Sequence, residues 1–173
     1  LIRRSPLEAS GSMSYIGSYA FGFCGQLNAI DFPNVTRLSN SAFYGCRSLA
    51  TLNLPNLTTI GAYAFAECNV LSSIELSSVT LMEREAFRHC EQLKTVNLPL
   101  LTAVPSWAFT YCYNLASVDL PEVETIDEFG FGYCGLSSIQ LSGATTIKPY
   151  AFYGCNSLRT IDFPNVTTIN YAA

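Results

Sequence analysis

The chain has 173 residues, 49% of them hydrophobic and 13% charged, and carries a formal net charge of −4. That balance suits a globular unit with a sizeable core and argues against a disordered chain. With only two lysines, Lys94 and Lys148, there is no basic stripe for a phosphate backbone, and no apolar run reaches the roughly 20 residues that span a bilayer.

Residues 1–15 match no later segment well and read as an N-terminal cap or linker remnant. From residue 16 to residue 173 one pattern recurs, I-x-x-x-A-F-x-x-C-x-x-L-x-x-I-x-L-P-x-V-T-x. Seven copies begin at Ile16, Leu38, Ile60, Met82, Val104, Ile126 and Ile147, and a truncated eighth begins at Ile169. The interval is 22 residues except in the sixth copy, which has 21 because Cys134-Gly135-Leu136 replaces C-x-x-L. A start at Leu1 and a last copy that stops at Ala173 read as a piece of a longer protein.

Within each copy the L-x-x-I-x-L segment, as in Leu27, Ile30 and Phe32, alternates like a half-buried strand, and the proline that follows in five copies ends it. The offsets of four, eight and eleven that relate Ile16, Ala20, Cys24 and Leu27 predict a short helical turn with these residues on one face. The V-T-x-I stretch is a second, shorter strand candidate. A single copy cannot bury its apolar face alone, so the coils must stack. The expected architecture is a leucine-rich repeat solenoid, a right-handed parallel superhelix with a short strand and a short helical turn per copy.

The strand core together with A-F-x-x-C and P-x-V-T-x-I resembles the BspA-like (Treponema pallidum type) leucine-rich repeats, over about residues 16–171. The resemblance implies a bacterial, or sometimes protist, protein that is extracellular or on the cell surface. It further implies adhesion to other cells or to host components, with a protein or glycan as ligand, host-derived ligands among them. The family carries no fixed functional residues, so candidate sites rest on this chain alone.

The seven cysteines, Cys24, Cys46, Cys68, Cys90, Cys112, Cys134 and Cys155, share one repeat phase, which predicts a ladder of buried free thiols and neither disulfides nor zinc. His89 precedes one of them and is not expected to activate it. Acids such as Glu83, Glu85, Asp127 and Glu128 fall at variable turn positions and form no catalytic pair, so no enzyme, metal or cofactor is expected. The sequons at Asn34, Asn56 and Asn165 are generated by the repeat itself.

Two surfaces are candidates for binding. The outward strand position reads Asp31, Asn53, Glu75, Asn97, Asp119, Gln140 and Asp162, beside a row of mostly small hydroxyls from Thr51 to Thr160. Such a face can take a basic peptide or sugar hydroxyls, or merely keep the strands soluble. The position before the A-F alanine is mostly aromatic, and Trp107, Tyr111, Tyr113, Phe129 and Tyr133 concentrate in copies five and six. Exposed, these rings would make a contact patch for sugar or protein; otherwise they pack between coils. A stalk displaying another domain is the alternative function. The open core edge of the last coil is a candidate for self-association.

Overall fold

In a computed structural model the residues from 13 to 173 are described; residues 1–12 of the expected cap lie outside them. Each coil contributes one strand of three residues and one of two. The longer strands are β2 (Ala29–Asp31), β4 (Thr51–Asn53), β6 (Ser73–Glu75), β8 (Thr95–Asn97), β10 (Ser117–Asp119), β12 (Ser138–Gln140) and β14 (Thr160–Asp162). The shorter ones are β1 (Tyr15–Ile16), β3 (Arg37–Leu38), β5 (Thr59–Ile60), β7 (Leu81–Met82), β9 (Ala103–Val104), β11 (Thr125–Ile126), β13 (Thr146–Ile147) and β15 (Thr168–Ile169), so the V-T-x-I segment is indeed a second strand. Every pairing is parallel and joins equivalent residues of neighbouring coils, as Thr59 with Leu81, and, across the short copy, Thr125 with Thr146.

Neither row of strands is continuous. Among the short strands the ladder stops between β7 and β9. Gly61, Glu83, Asp127 and Lys148 each donate an N–H to the preceding coil, to Leu38, Ile60, Val104 and Ile126 respectively, whereas Pro105 stands at the equivalent position and has none to give. Among the long strands β4 does not pair with β6, nor β10 with β12.

The interior is a set of ladders. Phe21, Phe43, Phe65, Phe87, Phe109, Phe131 and Phe152 stack face to face, with centroids 5.1 to 5.7 Å apart and planes within 11° of parallel. Leu, Ile and Val from both strand rows close around them. From Cys46 onward the cysteines are buried, and each thiol donates to the carbonyl of a phenylalanine in the preceding coil, as Cys90 to Phe65 at 3.2 Å. Cys24, in the first described coil, is the exception to the expected ladder: it is exposed.

The expected helical turn does not form; the described residues contain no helix. The amides of each turn alternate between two jobs. Ala64, Ala66 and Cys68 donate to the residue three back (Gly61, Tyr63 and Phe65), while Phe65 and Glu67 donate to Ala86 and Arg88 of the next coil. An α-helix needs every amide for its own i−4 carbonyl, so half of them cannot also hold the next coil. The backbone instead makes consecutive tight turns with left-handed residues at two places per coil, Tyr63 (φ 58°) and Glu67 (φ 60°) in the third. This four-residue rhythm still turns Ile60, Ala64, Cys68 and Leu71 inward, which is why it mimics a helical spacing.

Candidate binding surfaces

The long strands present their outward row as one strip. Asp31, Asn53, Glu75, Asp119, Gln140 and Asp162 are exposed and Asn97 is partly so. Carboxylates and amides alternate strictly along it. The amide of Asn53 donates to Asp31 at 2.7 Å, and the alternation keeps like charges off adjacent strands. Asn97 Oδ1, between Glu75 and Asp119 in the row, is buried without a hydrogen-bond partner.

The strip opens where β10 and β12 part. Elsewhere four residues lie between the cysteine and the start of its long strand, as between Cys112 and Ser117, but only three lie between Cys134 and Ser138. The shorter path runs against the previous coil. A Cβ on Gly135 would lie 2.2 Å from the Tyr113 carbonyl oxygen, so no other residue fits there without displacing backbone. β12 then pairs forward with β14 and not back with β10. The result is an open groove of about 600 Å³, lined by Ser117, Asp119, Ser138, Gln140, Thr160 and Asp162 among others. It brings together three of the seven strand-row candidates. The short copy was the sequence signal for it.

The aromatic candidates also converge, but not as free ring faces. Trp107, Phe129 and Tyr150 occupy one left-handed position of successive coils, Tyr111 and Tyr133 the other. Their rings lie parallel along the stack: Trp107 on Phe129 at 4.2 Å, Phe129 on Tyr150 at 4.9 Å, Tyr111 on Tyr133 at 5.0 Å. The flat faces are thus largely spent on one another, and these rings are partly buried. Tyr113, tilted against Tyr111, is 52% exposed. Tyr153, absent from the sequence-based patch, meets Phe129, Tyr133 and Tyr150 edge-on and ties the two rows together. Gly154 follows it because a Cβ there would come within 2.5 Å of the Tyr133 ring. Loss of water, then the neighbouring phenols of Tyr153, Tyr111 and Tyr113, push the Tyr133 hydroxyl above its ordinary pKa.

Earlier coils fill the same edge with charge. Glu67 accepts from the Tyr44 hydroxyl at 2.7 Å and from Arg47 at 3.0 Å, and these bonds hold its carboxyl below the ordinary range. Glu85 accepts from Tyr63 and from Arg88. His89 stacks on Tyr111 at 4.4 Å; burial and then the adjacent Arg88 lower its pKa. It does not touch a reactive thiol: Cys90 is fully buried and burial drives its pKa far up. Cys46, less enclosed, is pushed to about 11 by burial. Among the described residues no three His, Cys, Asp or Glu side chains are grouped to hold a metal, and no helix is long and apolar enough to cross a membrane.

A parallel solenoid of about seven coils, with a phenylalanine and cysteine spine and an exposed row of three-residue strands, is a leucine-rich repeat array. The family model for the BspA type leucine rich repeat region matches residues 5–116 and 80–173, and the chain belongs to that family. It is similar to a leucine rich cell surface protein of Faecalibacterium prausnitzii, with 38% identity and a TM-score of 0.78, over 86% of this chain and 42% of that one. It also resembles the leucine-rich repeat protein of T. pallidum, with 27% identity and a TM-score of 0.75, over 84% and 71% of the two chains. A leucine-rich repeat protein of Eubacterium ventriosum gives 26% identity and a TM-score of 0.76, over 84% and 41%. The chain therefore spans less than half the length of the first and third of these. No curated protein matches it. Arrays of this family are generally protein-binding surface modules and not enzymes.

Proposed function

We propose that this array is a non-enzymatic recognition module of a secreted or cell-surface protein, binding a protein or glycan ligand in adhesion. The observation that carries the reading is the groove on the strand face, where the row of acids, amides and hydroxyls widens at coils five to seven. Concave sites with a few convergent polar groups are where ligands usually bind. The surface location is supported by the likeness to the F. prausnitzii protein, a leucine rich cell surface protein. Ring faces engaged with each other make the aromatic edge a weaker site for sugar stacking.

A protein and glycan array screen with the chain tests this. Reproducible binding that is lost in Asp119→Ala or Gln140→Ala and kept in Trp107→Ala is the expected result. Binding lost only in Trp107→Ala would move the site to the aromatic edge, and no binding at all would favour a spacer.

A further inference from the structure

We propose that Tyr111 and Tyr133 form an oxidative cross-linking site, at which a haem peroxidase with hydrogen peroxide, a one-electron oxidising system, joins the two rings as dityrosine. The two residues hold the same left-handed turn position in coils five and six, with φ of 65° and 57°. Their rings stack at 5.0 Å, 18° from parallel. Two phenoxyl radicals couple where their p-lobes overlap, and those lobes stand perpendicular to the rings, so a parallel stack aims them at each other. Among the described residues this is the only pair of phenols that lies parallel. Tyr133 with Tyr153, Tyr150 with Tyr153 and Tyr150 with Tyr171 meet at 81° to 89°, which sets the lobes nearly at right angles. Tyr111 with Tyr113 is tilted by 52° at 6.0 Å.

The surroundings lead oxidation to this pair. Tyr113 and Tyr153, 52% and 46% exposed, flank it and touch Tyr111 and Tyr133 respectively. An electron taken from either exposed ring is thus replaced from the pair across a single contact. His89, in coil four, covers the opposite face of Tyr111 at 4.4 Å, which leaves Tyr133 as the coupling partner across the stack. Both side chains of the pair are only half-buried, so the rings can swing edge to edge as the bond shortens. Tyr44 and Tyr63, on the same edge of coils two and three, donate their hydroxyls to Glu67 and Glu85 and have no phenol stacked on them, so the same oxidant leaves them unlinked.

The chemistry balances with one peroxide. Each phenol gives up one electron and one proton, the two radicals join through ring carbons ortho to the hydroxyls, and tautomerisation restores both aromatic rings. Hydrogen peroxide takes up both electrons and both protons and leaves as two waters. The product ties coil five to coil six, the boundary at which β10 and β12 do not pair. A cross-link restricts the unfolded chain, and here it does so where a row of backbone bonds is interrupted. The site is independent of which surface holds a ligand.

The test is to treat the dilute chain with a haem peroxidase and hydrogen peroxide, isolate the monomer by size exclusion, and read dityrosine fluorescence and cross-linked peptides by mass spectrometry. The monomer should fluoresce, lose two hydrogen atoms, carry a Tyr111–Tyr133 link as its main product and unfold at higher urea than the untreated chain. Tyr133→Phe keeps a ring in the stack and should cut the monomer's fluorescence at least about fivefold, whereas Tyr171→Phe should leave the link in place. Dityrosine confined to dimers, other tyrosines linked as often within the monomer, or fluorescence unchanged in Tyr133→Phe would each overturn the proposal. So would an equal yield of the Tyr111–Tyr133 link from the chain oxidised in unfolding urea, since nearness in sequence would then suffice.

Discussion

The turn edge of coils two to four and that of coils five to seven share one backbone and two chemistries. In both, two residues per coil sit in the left-handed region, at a cost on the order of 1 kcal/mol each when they are not glycine. The earlier coils cover that edge with Ser41, Tyr63, Glu67, Glu85 and His89, of which Glu67 is tied by charged hydrogen bonds to Tyr44 and Arg47, and Glu85 to Arg88. The later ones cover it with Trp107, Tyr111, Phe129, Tyr133 and Tyr150, held by ring stacking. Stacking and ion pairing offset the same strain, but only the second depends on pH and salt.

The largest effect should come from the element both halves share. Phe109→Ala removes a fully buried ring between Phe87 and Phe131, and is expected to cost about 3 to 5 kcal/mol, read as a fall in the urea midpoint. A smaller effect separates the halves. Gly154→Ala adds a Cβ 2.5 Å from the Tyr133 ring, whereas at Gly45 the nearest ring atom, from Phe23, is 3.0 Å away. Both glycines have φ near 70°, so Gly154→Ala should cost about 2 kcal/mol and Gly45→Ala about 1. Equal losses would show that the backbone angle alone matters and that the ring ladder yields freely.

Acid should separate them least but most selectively. The pKa of Glu67 is lowered on folding from 4.5, so its contribution is present above that value and disappears as pH falls through the lowered one. Its side chain is 29% exposed, which keeps the effect below about 1 kcal/mol. Hydrogen exchange at pH 3 to 4 should therefore quicken in coils two to four relative to coils five to seven, and Glu67→Gln should abolish the difference. Uniform quickening would mean the two edges are held alike.

The repeat, the alternation of the long strands and the buried thiols were all legible in the sequence because each follows from a side chain recurring at one phase. The helical turn was misread because four-residue turns and a 3.6-residue helix place Ile60, Ala64 and Cys68 on the same side. The informative signal was Gly45 and Gly154, two glycines at the position before cysteine where the backbone is left-handed. The strand-row candidates could be named from the sequence, but the groove that unites Asp119, Gln140 and Asp162 depends on which coils part, and only the missing residue before Leu136 hinted at it. Tyr153 escaped because its position reads Tyr, Ala, Arg, Thr and Gly in other coils and looks free to vary.

Pro105 has a further consequence. Its missing amide parts the short-strand ladder between coils four and five, while the long-strand ladder parts between coils two and three and between five and six. No two gaps fall at the same boundary, as joints are offset in brickwork. Every pair of neighbouring coils keeps at least one bonded row and a shared phenylalanine stack. The array therefore tolerates three interruptions without a cleavage plane, and is expected to melt as one block, not as two halves that come apart at the proline.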